Sequence, residues 1–147
     1  MLDLVGNTPL VELSHLSPKP SIRIFAKLEG GNPSGSVKDR IVLAMVESAE
    51  AQGLLKPGDT IVEASTGNTA IALAFVAKQK GYQVKVVLPK GVVPSMADVL
   101  HLYGAEFEWV EPSGGMRGAI EAARALAIED GVHELGQFTR QENVDTH

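Results

Sequence analysis

Lys38 is the residue whose surroundings most suggest chemistry. It lies in the stretch Gly30-Gly31-Asn32-Pro33-Ser34-Gly35-Ser36-Val37-Lys38-Asp39-Arg40. Gly30, Gly31, Pro33 and Gly35 break both helix and strand periods and make a loop. Ser36 is a good N-cap, and Asp39 three residues on completes a Ser-x-x-Asp capping box. Lys38 then stands in the first turn of a helix, at its positive end, where a cation is disfavoured. The residues leave two readings open. One is a solvated surface lysine; the other is an amine used as a nucleophile or as the Schiff-base partner of a carbonyl cofactor.

The second candidate is Ser65-Thr66-Gly67-Asn68-Thr69. It follows an apolar run and opens a helix, so its backbone N–H groups point outward with the positive helix end. Three hydroxyls and an amide lie among them. Such a loop suits a carboxylate or phosphate. Ordinary capping by Ser65 or Thr66 is the alternative, but five consecutive small and polar residues exceed what a cap requires.

Other chemistries find little support. The histidines, His15, His101, His133 and His147, are scattered without paired metal-ligand spacing, so no metal site is expected. No Gly-x-Gly-x-x-Gly or Gly-Lys-[Ser/Thr] phosphate loop is present, and Gly114-Gly115 reads as a tight turn. Phe107 and Trp109 share one strand face and read as packing. Gln137 is an isolated amide that carries no meaning by itself.

The elements that must position these residues follow from the period of the apolar positions. Ile22 to Glu29 reads as a strand. Val37, Ile41, Ala44, Met45, Ser48 and Ala49 mark one face of a helix that Gly53 stops. Thr60 to Ala64 is a short strand, and Ala70 to Lys80 a helix apolar nearly all round, ended by Gly81. Gln83 to Leu88 is a strand. A Ser95–Asp98 capping box leads a helix with Met96, Val99, Leu100 and Tyr103 inward. Ala105 to Val110 is a strand, followed by a helix whose apolar face is Met116, Ala119, Ile120, Ala123, Leu126 and Ala127. Strand and helix alternating with short connections predict right-handed βαβ units. The expected fold class is α/β, a three-layer open parallel sheet with flanking helices. Ligands of such sheets sit at the carboxyl ends of strands, which places the loops after Glu29, Ala64, Leu88 and Val110 on the functional rim.

Composition narrows the setting. The chain has 147 residues, of which 44% are hydrophobic, enough for one folded core. A net charge of −5 argues against nucleic acid or an anionic membrane as main partner. There is no cysteine, which excludes disulfides and thiolate chemistry and fits a reducing compartment. No apolar run approaches the ~20 residues of a membrane span, and no signal peptide is read at the N-terminus. The expected location is cytoplasmic.

Beyond these physical readings, several stretches carry a family likeness. Gly6-Asn7-Thr8-Pro9-Leu10-Val11, Lys27-Leu28-Glu29, Asn32 to Arg40, Ser65 to Thr69 and Gln137-Phe138 together resemble the cysteine synthase and cystathionine β-synthase family. These are pyridoxal-phosphate enzymes of fold type II, and the likeness covers the whole chain. It implies that Lys38 holds pyridoxal 5'-phosphate covalently and later moves the substrate's α-proton. Asn68 would hydrogen-bond the cofactor's ring oxygen. Ser65, Thr66, Gly67, Thr69 and Gln137 would form the site of the substrate carboxylate. The implied reaction is β-replacement on an activated serine, such as O-acetylserine plus sulfide to cysteine. A threonine synthase or serine/threonine dehydratase-like lyase is the alternative within the fold type; a non-catalytic half-domain that binds a partner chain is the alternative outside it.

The sequence departs from the family pattern in three places. The family usually reads Thr-Ser-Gly-Asn-Thr-Gly where this chain has Ser65-Thr66 and, at the last position, Ala70. Its Met-Ser dipeptide after the third strand is Val92-Val93 here. Family members are longer, and their second half supplies the glycine-rich phosphate loop and the hydroxyl residue facing the pyridine nitrogen. The resemblance therefore implies an N-terminal half. Residues 1–36 would be an N-terminal segment and first strand packing partly on a second domain, 37–136 the α/β domain, and 137–147 the start of the connection onward. A homodimer, or association with a C-terminal half, is expected, with a small amino acid as substrate.

Overall fold

The computed structural model describes residues 1–91 and 94–146; Val92-Val93 and His147 lie outside the described residues. Two short strands come first, Leu10–Glu12 (β1) and Phe25–Lys27 (β2). They pair antiparallel, Leu10 opposite Lys27, and form a sheet of their own. This corrects the expectation that residues 22–29 enter the parallel sheet. No residue of either strand is buried, so the alternation between Ile22 and Glu29 belongs to a surface ribbon.

Lys38–Ala51 (α1) follows, and its buried stripe is Ile41, Val42, Met45, Val46 and Ala49. The stripe is rotated from the expected face. Ser48 leaves it, and its hydroxyl donates to Glu142 at 2.7 Å. Thr60–Ala64 (β3) is the expected strand. Asn68–Lys80 (α2) starts two residues earlier than expected and buries Ala70 and every residue from Ala72 to Ala77. Gly81 ends α2 at φ +83°, a left-handed conformation that suits glycine.

Gln83–Pro89 (β4), Pro94–Tyr103 (α3), Glu106–Val110 (β5), Gly115–Leu126 (α4), Val132–Glu134 (β6) and Glu142–Asp145 (α5) complete the chain. Because α3 already contains Pro94, Ser95 lies within its first turn and is not the cap expected of it. Proline is pre-organised for that first turn. Val99, expected inward, is exposed, and Leu100 carries the packing. Phe107 and Trp109 pack ring on ring, 5.8 Å apart.

β3, β4, β5 and β6 form one parallel sheet in the order β5-β4-β3-β6. Ile61 pairs with Val84 on one side and with His133 on the other. Side chains alternate between the two faces. Ile61, Val84, Val86 and Leu88 join α1, α2 and Leu100 of α3 in the larger core. Val62, Ala64 and Val87 meet Ala119 and Ala123 of α4 on the other side. The result is the expected three-layer α/β arrangement. Among the described residues no helix is long and apolar enough to cross a membrane.

The topology places the site. From β3 the chain steps to β4 and then β5, with α2 and α3 on one face. It returns through α4 on the opposite face to β6, beyond β3. Right-handed crossovers require this change of face when the direction of travel reverses. The reversal falls between β3 and β6, and a crevice opens at the carboxyl ends of strands at such a point.

Candidate active site

The loops after β3 and β6 meet at this end of the sheet. Ser65 to Thr69 leave β3, and Gln137 lies beyond the end of β6. Gly67 is the N-cap of α2, in extended backbone with no side-chain cap. That corrects the alternative in which Ser65 or Thr66 caps the helix. The Ser65 hydroxyl instead accepts the Gly67 N–H at 3.3 Å. The N–H groups of Asn68 and Thr69 have no acceptor among the described residues. Ser65 and Thr69 are buried, whereas Thr66, Gly67 and Asn68 are exposed at the rim. Open N–H donors at a helix N-terminus, ringed by hydroxyls and a carboxamide, favour an anion.

Thr69 and Gln137 meet across 68 residues of sequence. The Thr69 hydroxyl donates to Gln137 Oε1 at 2.8 Å, and both side chains are buried. Beneath them lies Glu63, only 1% exposed in β3. Its Oε2 accepts the N–H of Gly136 at 2.9 Å and of Gln137 at 3.3 Å. Its Oε1 accepts the N–H of Ala64 at 3.1 Å and the Gln137 side-chain amide at 3.3 Å. Burial lifts the Glu63 carboxyl above the usual glutamate range. The donors from Gln137 and Gly136 pull against that lift, and Glu134 on the neighbouring strand adds to it.

Lys38 opens α1, the helix packed beside α2. Near their C-termini α1 and α2 are pinned together, Lys80 to Glu50 at 2.8 Å and to Glu47 at 3.5 Å. Lys38 precedes Glu50 by twelve residues, and Asn68 precedes Lys80 by twelve. The two helices pack side by side, and each rises about 18 Å over that span, so Lys38 and Asn68 lie equally far along their helices from the tie. The Lys38 side chain is half-buried and makes no hydrogen bond or ion pair among the described residues.

The loop before Lys38 is held by a polar knot. Arg40 forks onto both oxygens of Glu29, Nε at 2.7 Å and Nη2 at 2.9 Å. Glu29 also accepts from Thr8 Oγ1 at 2.7 Å and from Asn32 Nδ2 at 2.9 Å. The Gly6 N–H donates to Asn32 Oδ1 at 2.8 Å. Gly6 has φ +85°, a conformation that calls for glycine, and a Cβ there would stand 2.8 Å from an Arg40 nitrogen. The Arg40 guanidinium holds the Glu29 carboxyl down at about 2 despite partial burial. The expected Ser36–Asp39 box is redistributed. The Ser36 hydroxyl accepts the Lys38 N–H at 3.2 Å, and Asp39, fully buried, reaches back to Ser34, taking its N–H at 2.7 Å and its hydroxyl.

A family model described as pyridoxal-phosphate dependent enzyme matches residues 1–147. The chain belongs to that family. It is 43% identical over 143 residues to cysteine synthase B of Salmonella typhimurium, covering 97% of this chain and 47% of the relative. It is 44% identical over 144 residues to a cysteine synthase of Staphylococcus aureus, covering 98% and 46%. Among solved structures it resembles an O-ureido-L-serine synthase, with TM-score 0.92, 39% identity, and 99% and 46% of the two chains covered. It also resembles the cysteine synthase of Entamoeba histolytica, with TM-score 0.91, 36% identity, and 99% and 45% covered. The chain thus spans about half the length of the relatives it matches, and its α/β architecture is that of fold type II pyridoxal-phosphate enzymes.

Of the site residues expected from sequence, Thr69 and Gln137 are in contact, and Ser65 is turned onto Gly67. Thr66, Gly67 and Asn68 stand exposed beside them, and Lys38 opens the neighbouring helix α1. Sequence reasoning passed over Glu63 and the knot of Glu29 with Arg40. Glu63 had a local signal, a carboxylate inside the apolar run Thr60-Ile61-Val62-Glu63-Ala64. Arg40 and Glu29 had none, because their pairing depends on the path of the loop between them.

Proposed function

We propose that this chain supplies the lysine and the substrate-carboxylate site of a pyridoxal-phosphate-dependent enzyme that replaces the β-substituent of an activated serine. The observation that carries the proposal is the meeting of Thr69 and Gln137 at the reversal of strand order, at 2.8 Å, beside open N–H groups. The donor chemistry fits the cofactor and an amino acid. Lys38 offers a carbonyl a primary amine that has no partner among the described residues, Asn68 a carboxamide for a ring oxygen, and the 65–69 loop hydroxyl and N–H donors for a carboxylate.

In this reading Lys38 Nζ would hold the cofactor, and its amine would move the proton at the substrate's α-carbon. Asn68 would offer its side-chain amide to the cofactor's ring oxygen. Ser65, Thr66 and Thr69, with the backbone at Gly67, hold the substrate carboxylate, and Gln137 borders the same pocket behind Thr69. Pyridoxal phosphate, when bound, supplies the electron sink for the negative charge developed at the α-carbon. The net reaction breaks the Cβ–O bond of O-acetylserine and forms a Cβ–S bond with sulfide, giving cysteine and acetate. Residues 1–36 and 137–147 flank the α/β unit of 37–136 and face a C-terminal half or a second copy. The exposed Leu10, Leu16, Phe25 and Phe138 support that docking. Action in the cytoplasm accords with such a small-molecule reaction.

The test is a cofactor titration of the chain with visible spectra, then borohydride reduction and peptide mass mapping. A visible band and a reduced adduct on Lys38 are expected, and both should vanish in Lys38→Ala. The same spectrum in both proteins would refute the assignment. Product analysis after co-expression with a C-terminal half, offering O-acetylserine plus sulfide against O-phosphohomoserine, separates β-replacement from threonine synthesis.

A further inference from the structure

Glu63 has no part in the chemistry above, yet it sits beneath the residues that do. A carboxylate with 1% exposure is costly to keep inside a strand unless its oxygens are satisfied. Among the described residues no cation pairs with it. Its acceptors are met wholly by N–H groups, one from its own strand at Ala64 and three from the turn after β6. We infer that Glu63 is a positioning residue that fixes the amide of Gln137, and through it Thr69 and the first turn of α2, for a ligand carboxylate. The inference rests on the carboxylate site proposed above.

The polarity of the chain of contacts supports it. All four contacts to the Glu63 oxygens among the described residues come from N–H donors, so Glu63 acts only as an acceptor, as an ionised carboxylate does. It therefore draws the NH₂ end of Gln137 toward itself, where the backbone oxygen of Ala64 takes a second contact at 3.4 Å. Gln137 Oε1 is left facing Thr69, and the Thr69 hydroxyl must donate to it. One buried charge thus decides which way the amide is turned and which way the hydroxyl points. Thr69 is in turn the residue whose open N–H lies at the start of α2. The turn at 136–137, the loop at 65–69 and the strand between them are fixed as one piece, which is what preorganised binding donors require.

The test uses the full chain, ¹⁵N-labelled, as wild type, Glu63→Gln and Glu134→Gln. Glu63→Gln keeps the shape and sets an NH₂ group against N–H donors. Glu134→Gln removes the nearby charge and leaves the Gln137 contacts alone. Two readings are taken, the side-chain amide pair of Gln137 with the Gly136 amide, and the shifts of Asn68 and Thr69 on titration with L-serine. In Glu63→Gln the Gln137 and Gly136 signals should move and L-serine should bind about tenfold more weakly. Glu134→Gln should leave both unchanged. Unmoved Gln137 and Gly136 signals in Glu63→Gln overturn the inference, and so does unchanged affinity once they have moved. If wild type gives no shift at Asn68 and Thr69 with L-serine, it is the proposed carboxylate site that fails, whatever the Gln137 signals do in Glu63→Gln. Those signals still test the positioning role by themselves. Should Glu63→Gln not fold, Glu63→Asp withdraws the oxygens by one methylene while keeping the charge. The same weakening is expected there, and wild-type affinity overturns the inference.

Discussion

The knot at Glu29 sets the stability of the loop that carries Lys38, and its contribution can be worked from the structure. Glu29→Gln keeps the shape of the side chain but removes the charge that Arg40 grips with two nitrogens. The Glu29 carboxyl is held at about 2, against an ordinary value of 4.5 in the unfolded chain. A difference of that size corresponds to at most about 3 kcal/mol. The side chains of Glu29 and Arg40 are 21% and 23% exposed, and solvent screening brings the expected loss to about 1–2 kcal/mol. The sign follows from linkage. A depressed carboxyl adds stability that is fully present above the unfolded value and is lost as pH falls toward the folded one. Urea unfolding at pH 7 should therefore show Glu29→Gln less stable by about 1–2 kcal/mol, or a few degrees in melting temperature. The gap between wild type and variant should close between about pH 5 and pH 2. Equal midpoints at pH 7, or a gap that stays constant down to pH 2, would refute the reasoning.

Three further outcomes are expected. Leu73 is fully buried in α2, so Leu73→Ala should cost about 2–5 kcal/mol in denaturant unfolding. Gly81→Ala places a side chain at φ +83° and should cost about 1 kcal/mol, read as a lowered melting temperature. Lys38→Ala removes an amine with no partner among the described residues and should leave unfolding free energy within about 0.5 kcal/mol; a larger loss would mark the lysine as structural.

What the sequence made legible was local. Thr60 to Ala64 reads as a strand because a short apolar run is closed by turn residues on both sides. Ala70 to Lys80 reads as a buried helix because it is apolar nearly all round. The ribbon of β1 and β2 was missed because its first strand is three residues long, too short to show a period. Without that partner the alternation of 22–29 pointed to the wrong sheet. The boxes at Ser36 and Ser95 match a spacing that does not say where each N–H goes. Asp39 turned to Ser34 because the loop above it is folded back by the knot. Gln137 had no local signal at all, since its hydrogen-bond partner Thr69 lies 68 residues away. The lysine motif and the loop at 65–69 were visible because glycines, hydroxyls and capping residues crowd into short stretches. That the 65–69 loop meets Gln137 came from strand order, which no local pattern encodes.

The separate sheet of β1 and β2 has a dynamic consequence. Neither strand contributes a buried side chain, so the ribbon adds little to the hydrophobic core. Segments held by few buried contacts open and close without global unfolding. Amide hydrogens of Val11 and Ala26 should therefore exchange with solvent far sooner than those of Val62 or Val86. The ribbon is tethered to α1 through the polar ties of Thr8 and Glu29 to Arg40, which makes those ties the latch on a separately opening unit. The residues leading to Lys38 then take their order from a few hydrogen bonds at the edge of the molecule, while Thr69 takes its own from the middle of the sheet.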